Sequence, residues 1–278
     1  MLQTFLSLLK ADATREQLED WCRSQTQSYS SRGAITACRV LGKYIMYVRN
    51  DDSSIAPHLI LDGIWEPWIT MAIARHVKPG MCCLDVGACY GYYALLMKDI
   101  VGESGHVQAW EPVWGALAHQ NAAVNGLEML VLREAMASEK SVLEIRFPNV
   151  RASELFNAGD VPMRPARGLP GYTNFNQVSA SPPEPESFDF IKIDVEGAEA
   201  DVWKALEGVR KLSPKLTVCM EFTPSKHVDP MAFLECLMND GFALGTVRHD
   251  GVPVACSLDE ALAPDTGDFR MLWLTRDA

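Results

Sequence analysis

An acidic residue precedes a glycine-rich turn at the end of a predicted strand. Residues 84–91 have the sequence LDVGACYG, in which Gly87 and Gly91 allow a sharp bend and let a ligand approach the backbone. A helix that begins at this turn directs unpaired N–H groups toward that ligand. Because the carboxylate of Asp85 would repel a pyrophosphate and attract an ammonium group, the turn favours a positively charged ligand over a dinucleotide.

A second carboxylate, Glu111, follows Gly91 by twenty residues and ends the next predicted strand, directly before Pro112. A carboxylate at this place accepts two hydrogen bonds from a vicinal diol, which indicates a ribose with free hydroxyl groups. An ammonium group at one end and a ribose at the other describe S-adenosylmethionine better than a dinucleotide. At the end of the third predicted strand, Ala135 marks the place expected for the adenine.

A third segment that could carry chemistry, residues 188–199, has the sequence FDFIKIDVEGAE. Strand alternation puts Lys192 and Asp194 on one face. A lysine in an apolar strand needs a carboxylate partner, and Asp194 or Glu221 on the neighbouring strand would supply it. Ligands of open α/β sheets bind beyond the carboxyl ends of the strands. The two acids described above lie at such ends, as do Asp194 and Glu221, so the sequence predicts one site there.

These acids are positioned by strand-like runs that alternate with helical runs from Met81 onward. The alternation predicts an α/β fold with a Rossmann-like, doubly wound sheet of seven strands, mostly parallel, in which the last strand is antiparallel. The predicted helices of this part cover residues 65–77, 90–100, 114–125 and 199–212. The predicted strands cover residues 82–87, 106–111, 130–135, 188–194, 216–221, 242–248 and 269–275.

Two segments lie outside this alternation. Residues 1–62 are predicted to form an N-terminal extension, with helices over 2–27 and a hairpin over 34–49, whereas residues 63–278 form the ligand-binding domain. Within that domain, residues 149–187 contain six prolines and little periodicity, which is typical of a lid or acceptor loop. We expect the extension to cover the site or to form a homodimer.

The composition restricts the class of partner. Lys and Arg number 25 against 36 Asp and Glu, which gives a net charge of −11. This charge repels phosphate backbones and anionic lipids, so we expect a small-molecule partner and neither nucleic acid nor a membrane. The eight cysteines are dispersed without a CxxC pair and are expected to be reduced thiols. The sequence shows no signal peptide and no run of about 18 apolar residues, which predicts a cytoplasmic protein.

Residues 85–93 and, above all, residues 189–199 resemble the FkbM-type S-adenosylmethionine-dependent methyltransferases. The first motif, DVGACYGYY, is shared by many class I methyltransferases, whereas the second, DFIKIDVEGAE, is specific to the family. The similarity extends from about Gly63 to Thr223, and residues 63–67, GIWEP, resemble the family's lead-in.

The resemblance implies roles for individual residues in cofactor binding. The glycine turn would pass close to the methionine part, Asp85 would hold its ammonium group, and Glu111 would bind the ribose hydroxyls. Glu66 is a candidate for the same polar end as Asp85, and Asp194 would stand beside the sulfonium and the acceptor. The complete set implied for the cofactor is Glu66, Asp85, Gly87, Ala88, Gly91, Glu111, Pro112, Ala135 and Asp194.

The resemblance also implies O-methyl transfer, because the family methylates hydroxyl groups, often on sugars, polyketides or other secondary metabolites. A base must take the hydroxyl proton as the new bond forms, and the candidates are Asp194, Glu221 and His227, in that order. Alternatively, Mg²⁺ held by Asp194, Glu196 and Glu221 would lower the pKa of the hydroxyl, but a metal is not the favoured interpretation. The candidates for an aromatic wall against the acceptor are Trp65, Trp68, Tyr92, Tyr172 and Phe175.

Two residues depart from the family pattern. Cys89 stands where the family usually has Asn, and Ala94 stands where a small hydroxyl residue is common, so both changes remove hydrogen-bonding groups near the methionine end. Two alternatives therefore stay open. A Rossmann-type NAD oxidoreductase would share the strand, the turn and the ribose acid, but it predicts GxGxxG and no acid at Asp85. A non-catalytic cofactor-binding scaffold is the other alternative.

Overall fold

The N-terminal part of the chain consists of short helices and a small antiparallel sheet. The computed structural model describes residues 4–30, 34–146, 175–263 and 269–277. Thr4 and Thr14 each begin a helix with a capping box, in which the hydroxyl accepts a backbone N–H three residues ahead. These two helices and the antiparallel pairing of residues 35–40 with residues 44–49 confirm the predicted helices and hairpin. The elements are α1 (Phe5–Lys10), α2 (Arg15–Gln25), β1 (Ser28–Ser30), β2 (Ile35–Val40), β3 (Tyr44–Arg49) and α3 (Ile55–Leu61).

The rest of the described chain alternates between strands and helices, as predicted. The predicted helix over 199–212 is divided at Leu206 into two short helices. The elements are α4 (Pro67–His76), β4 (Cys82–Val86), α5 (Tyr92–Val101), β5 (His106–Trp110), α6 (Gly115–Val124), β6 (Leu130–Leu132), β7 (Ala135–Met136), β8 (Ser141–Arg146), β9 (Phe175–Ser181), β10 (Phe190–Ile193), α7 (Glu199–Ala205), α8 (Glu207–Leu212), β11 (Leu216–Phe222), α9 (Pro230–Asn239), β12 (Gly245–Val247), β13 (Pro253–Ala255), α10 (Leu258–Leu262) and β14 (Arg270–Arg276).

The central sheet has the strand order β13-β12-β14-β11-β10-β4-β5-β6. The strands from β11 to β6 are parallel to their neighbours, whereas β14 runs antiparallel to β11 and to β12. This confirms the doubly wound α/β fold and the antiparallel last strand. The sheet has eight strands instead of the predicted seven, because β13 pairs with β12 at the edge. Its first residue is Pro253, which cannot donate a hydrogen bond and is therefore suited to an edge position.

A separate three-stranded sheet of order β7-β9-β8 is formed by strands that lie between β6 and β10 in the sequence. It changes two predictions. Ala135, assigned to the third strand of the central sheet, instead pairs with Ala180 of β9, and β6 ends at Leu132. The segment 149–187 is also more regular than predicted, since β9 pairs antiparallel with β8. The remainder of that segment up to residue 174 lies outside the described residues.

Apolar residues pack on both faces of the central sheet. One cluster joins Leu18 and Met46 of the N-terminal extension to Leu95 of α5. The other packs Ile191 of β10 against α9, including Leu234. The extension therefore shares one core with the sheet, while the domain boundary at residue 62 stays a prediction. Among the described residues the longest helix, α2, has 11 residues, and none is both long and apolar enough to cross a bilayer.

Candidate functional site

The turn between β4 and α5 requires glycine at two positions. Gly87 has a φ of +83°, and a Cβ there would overlap the carbonyl oxygen of Asp194. Gly91 has a φ of +85° and lies against Ala118 of α6, whose Cβ would be 3.3 Å from an added Cβ. Only glycine adopts these conformations without strain and leaves this space. The turn thus brings the end of β4 directly against the end of β10.

Asp85 is fully buried at the carboxyl end of β4. Among the described residues, neither of its carboxylate oxygens has a hydrogen-bond partner of normal geometry. Burial and the nearby charge of Asp194 raise the pKa of Asp85 to about 6, although the charge of Lys192 and the backbone N–H of Ala94 act in the opposite direction. A buried carboxylate without a partner is costly to the folded protein. Asp85 is therefore suited to a ligand that brings a positive charge or hydrogen-bond donors, as an amino group does.

Lys192 supplies positive charge behind this carboxylate. It is the register partner of Asp85 in the neighbouring strand, and its Nζ lies 2.9 Å from Oδ2 of Asp194. Burial acts to lower the pKa of Lys192, but the carboxylates of Asp194, Asp85 and Glu66 together raise it. Its Nζ also lies 4.7 Å from the ring centroid of Tyr93. The predicted partnership of Lys192 with Asp194 is confirmed.

Glu111 connects the end of β5 to the glycine turn. Its Oε2 accepts the N–H of Cys89 at 2.8 Å, and its Oε1 accepts the N–H groups of Val113 and Trp114 at 2.8 and 3.0 Å. Burial raises the pKa of Glu111, although these bonds act in the opposite direction. Carboxylate oxygens have further lone pairs, so Glu111 retains acceptor capacity for a diol.

Glu66 occupies the segment before α4 and is held by the first turn of α5. The hydroxyl of Tyr93 donates to Oε2 of Glu66 at 2.6 Å, and the N–H of Trp65 donates to the hydroxyl of Tyr92 at 3.3 Å. Burial and the charge of Asp194 raise the pKa of Glu66 to about 7. Sequence reasoning missed the role of Tyr93, although this residue is part of the motif that follows the glycine turn.

Asp194, Glu196 and Glu221 converge at the ends of β10 and β11. One oxygen atom from each carboxylate lies within 4.8 Å of the others. Burial and the charges of Asp194 and Glu196 raise the pKa of Glu221 to about 8. Nζ of Lys226 lies 2.5 Å from Glu196 and 3.7 Å from Glu221, so lysine already balances part of the negative charge. These three acids are the set predicted for Mg²⁺, and a metal stays unfavoured here.

The third candidate base, His227, packs on two aromatic rings and lies beside a buried glutamate. Its ring is 4.9 Å from the ring of Phe222 and stacks at 5.0 Å on Phe233, measured between centroids. Its Nε2 lies 3.4 Å from Oε2 of Glu199, and both side chains are buried. Burial lowers the pKa of His227. The structure therefore places this candidate base against Glu199 instead of beside Asp194 and Glu221.

Three residues that are not glycine adopt positive φ angles around the site. These angles are +39° at Glu66, +49° at Cys89 and +57° at Glu196. Side chains disfavour this region, and such conformations are often found at functional sites. Asn tolerates it better than most residues, so Cys89 is more strained than the Asn usual in the family would be. Sequence reasoning identified the substitution at Cys89 but not its backbone conformation.

A cavity of about 600 Å³ opens at this edge of the sheet. Its walls come from α2 and α3, from the segment before α4, and from the ends of β10 and β11. We expected the N-terminal extension to cover the site, but sequence reasoning named no individual residue of α2 and did not find Lys226, because no local signal connects these residues to others so distant in the chain. Residues that line the cavity include Arg15, Glu19, Arg23, His58, Asp62, Trp65, Glu66, Trp68, Glu196, Glu221, Thr223, Lys226 and Phe269.

The strand order defines the class of protein. In the dinucleotide-binding Rossmann fold the strands follow the order 3-2-1-4-5-6, whereas here the antiparallel β14 is inserted between β11 and β12. This is the fold of a class I S-adenosylmethionine-dependent methyltransferase, in which Asp85 and Glu111 stay the predicted cofactor ligands. The sequence model of the methyltransferase FkbM domain matches residues 85–240, more than half of the chain. The chain belongs to the FkbM methyltransferase family.

Solved structures with the same general fold include three methyltransferases. An S-adenosylmethionine-dependent methyltransferase from Aquifex aeolicus has a TM-score of 0.43 and 16% identity, over 81% of this chain and 94% of that chain. A ribosomal protein L11 methylase from Lactobacillus delbrueckii subsp. bulgaricus has a TM-score of 0.41 and 15% identity, over 76% and 78%. An S-adenosylmethionine-dependent O-methyltransferase from Thermotoga maritima has a TM-score of 0.39 and 16% identity, over 77% and 64%. No curated protein matched the sequence.

Proposed function

We propose that the protein transfers a methyl group from S-adenosylmethionine to a hydroxyl group of a small molecule bound in the cavity. The observation that carries this proposal is the carboxyl group of Glu221. It lines the cavity, lies close to Asp194 and has its pKa raised to about 8 by burial and neighbouring carboxylates. A general base works best when its pKa is close to the working pH, and an alcohol requires such a base.

The described residues fit the cofactor. The unpartnered, buried Asp85 would hold its ammonium group, the glycine turn would pass its methionine part, and the remaining acceptor capacity of Glu111 would bind its ribose. Pro112 follows Glu111 directly and so keeps its proposed place beside the ribose. Ala135 belongs to the small sheet of β7, β9 and β8 and not to the central sheet. Bound at this edge, the cofactor supplies a methyl group on a positively charged sulfur. Asp194 is the candidate for the place beside that charge.

Glu221 is a better base candidate than Asp194 or His227. The carboxylate of Asp194 is ion-paired with the buried Lys192, whose Nζ donates a hydrogen bond to its Oδ2. Nε2 of His227 faces Glu199. Glu221 is ion-paired only at longer range, 3.7 Å from Lys226, and its raised pKa favours proton uptake. In this proposal Glu221 takes the hydroxyl proton and Asp194 faces the cofactor.

The cavity is suited to a small acceptor with a ring. Its volume of about 600 Å³ is in the range of small-molecule sites, and Trp65 and Trp68 give part of its wall an aromatic character. A net charge of −11 makes an anionic macromolecule an unfavourable acceptor. A homodimer through the N-terminal extension and a cytoplasmic location stay predictions.

The test uses S-adenosylmethionine with a labelled methyl group and a set of small alcohols, phenols and sugars, each paired with its amine and thiol analogue. We expect a methyl ether, identified by the NMR signal of its OCH₃ group. The variant Glu221→Gln should lose about 100-fold or more in turnover while its affinity for S-adenosylmethionine stays unchanged. Glu207→Gln, at an exposed ion pair on α8, is the matched control. Exclusive N- or S-methylation would overturn the proposal.

Calorimetry separates this proposal from the two alternatives of the sequence. Titration with S-adenosylmethionine should give saturable binding, whereas NAD should give none; the reverse result would support an oxidoreductase. Asp194→Asn should weaken S-adenosylmethionine binding as well as turnover, because it removes the carboxylate that faces the positive sulfur of the cofactor. Cofactor binding without methyl transfer to any acceptor class would support a scaffold.

A further inference from the structure

A buried contact connects the two loops that carry the acids of the site. Glu199, the first residue of α7, is 1% exposed. Its Oε1 accepts the N–H groups of Val195 and Gly197 at 3.3 and 3.0 Å. Its other oxygen, Oε2, lies 3.4 Å from Nε2 of His227. Glu199 therefore contacts its own loop with one oxygen and the loop after β11 with the other.

His227 is held in place from the opposite side. It follows the 3-10 turn Pro224–Lys226, its N–H donates to the carbonyl of Pro224 at 3.2 Å, and its ring packs on Phe222 and Phe233. Among the described residues, neither Nε2 of His227 nor Oε2 of Glu199 has a hydrogen-bond partner of normal geometry. Because buried polar atoms are costly when unpaired, each of the two atoms depends on the other, 3.4 Å away, for its polar contact.

The loops that meet at this contact carry or directly follow the acids of the site. Asp194 and Glu196 belong to the β10–α7 loop (residues 194–198), in which Glu196 adopts a φ of +57°. Glu221 and Lys226 belong to the end of β11 and to the β11–α9 loop (residues 223–229). The ion pair between these loops, Lys226 with Glu196, involves a glutamate that is 78% exposed, and exposed pairs stabilise little. The connection that is shielded from solvent is the contact of Glu199 with His227.

We propose that Glu199 and His227 form a positioning pair, which connects the β10–α7 loop to the β11–α9 loop and thereby holds Asp194 and Glu221 at a fixed separation. Neither residue is a base or a cofactor ligand in this proposal. The proposal rests on the proposed function only where it treats these two acids as the catalytic machinery.

The test is amide hydrogen exchange across the contact, measured on the full chain. His227→Phe keeps an aromatic ring between Phe222 and Phe233 but removes Nε2, so Glu199 loses its partner. The amides of Val195 and Gly197, which lie in the other loop, should then exchange at least about fivefold faster, because a buried group that has lost its partner destabilises the contacts it makes. Unchanged exchange at these two amides would overturn the proposal.

Three further variants keep the test decisive. Glu199→Gln retains an oxygen for Val195 and Gly197, and its amide can donate to Nε2 of His227, so it should restore most of the protection that Glu199→Ala loses at the His227 amide. Failure of this rescue would also contradict the pair. Glu207→Gln, which breaks an exposed pair on α8, should change neither loop.

Methyl transfer gives the second readout. With any acceptor found by the labelled-methyl screen, His227→Phe should lower kcat at least about tenfold with unchanged affinity for S-adenosylmethionine, because misplacement of reacting groups costs rate rather than cofactor binding. Hydrogen exchange needs no methyl acceptor, so the two proposals are tested separately. Unchanged exchange with methyl ether formation would overturn only the positioning pair, whereas faster exchange without methyl transfer to a hydroxyl would overturn only the proposed function.

Discussion

At the residue scale, the state of the Asp85 side chain favours a ligand from outside the protein. It combines complete burial, two oxygens without partners among the described residues and a raised pKa. Such a residue lowers the stability of the unliganded protein, and the usual reason for its presence is function. The same reasoning separates it from Glu111, whose oxygens accept three backbone N–H groups and which therefore supports the turn as well as a ligand.

The first prediction concerns Asp85→Asn. This variant should bind S-adenosylmethionine about 10- to 100-fold more weakly, since it loses a charged hydrogen-bond partner. At pH 8 its unliganded form should be at least as stable as the parent protein, because the buried charge is gone. Calorimetry measures the first quantity and urea denaturation the second.

Asp189→Asn is the matched control for that prediction. Asp189 precedes β10 at the opposite edge of the sheet, where its Oδ2 accepts the N–H of Cys82 at 2.8 Å. The affinity of the Asp189→Asn variant for S-adenosylmethionine should equal that of the parent protein. If both variants lost affinity equally, Asp85 would have no specific role in binding.

The second prediction concerns the pH dependence of methyl transfer. Burial and the neighbouring carboxylates raise the pKa of Glu221 to about 8, and only its deprotonated form accepts a proton. The value of kcat/KM should therefore rise with pH between about 7 and 8.5 and then level off. Glu221→Gln should remove this rise. A profile that is flat in the parent protein over this range would assign the proton to another group.

At the scale of elements, the outer strand of the N-terminal sheet, β3, is completed by Asn121 of α6 and by Asn125, the residue that directly follows α6. Asn125 accepts the N–H of Ile45 and donates to its carbonyl, at 2.9 and 2.7 Å. Asn121 makes the same pair of bonds with Tyr47, at 2.7 and 3.1 Å. The two side chains are one helical turn apart and replace the neighbouring strand that β3 lacks on this side.

Asn121 also reaches the glycine turn, since its Nδ2 donates to the carbonyl of Tyr90 at 2.9 Å. The side-chain amide of Asn121 therefore hydrogen-bonds both to β3 of the N-terminal extension and to the glycine turn. This contact provides a physical route by which the N-terminal sheet affects a site that is formed by distant parts of the sequence.

The third prediction compares Asn121→Ala with Asn125→Ala. Each should lower the free energy of unfolding by about 1–3 kcal/mol, because each leaves backbone groups of β3 unpaired. Only Asn121→Ala should also weaken S-adenosylmethionine binding, through the freed carbonyl of Tyr90. Equal cofactor affinities for the two variants would show that the extension acts on stability alone.

At the scale of the whole molecule, the acids of the site make stability depend on pH. Burial raises the pKa of Glu66 to about 7 and that of Glu221 to about 8, so the folded protein binds these protons more tightly than the unfolded chain. Stability therefore falls as the pH rises toward these values. Below about pH 6.5 the histidines His76 and His227 act in the opposite direction, because burial lowers their pKa values.

The fourth prediction follows from this balance. Between pH 6.5 and pH 8 the free energy of unfolding of the unliganded protein should fall by about 2 kcal/mol, measured by urea denaturation. The double variant Glu66→Gln/Glu221→Gln should show a much smaller change over the same range. A parent protein that becomes more stable across this interval would contradict the raised pKa values.

Much of the site could be predicted from sequence because its elements carry local signals. Glycine at Gly87 and Gly91 follows from the bend after β4, and the alternation of β10 puts Lys192 and Asp194 on one face. Strand ends could be located well enough to group Asp85, Glu111 and Asp194. Ala135 was assigned to the wrong sheet because a short polar gap separates β6 from β7 and local pattern does not tell which sheet a strand joins.

The sequence by itself determined the class of fold, the family and the acids that meet at one edge of the sheet, since periodicity, glycine requirements and motif spacing are local properties. Only the tertiary structure decided how each acid is balanced: Asp194 by an ion pair with Lys192, Glu196 by Lys226, Glu199 by His227, and Asp85 by the charge of Lys192 without a side-chain hydrogen bond among the described residues. The physical reason is that pKa values and hydrogen-bond partners depend on burial and on distances between loops that lie far apart in the chain.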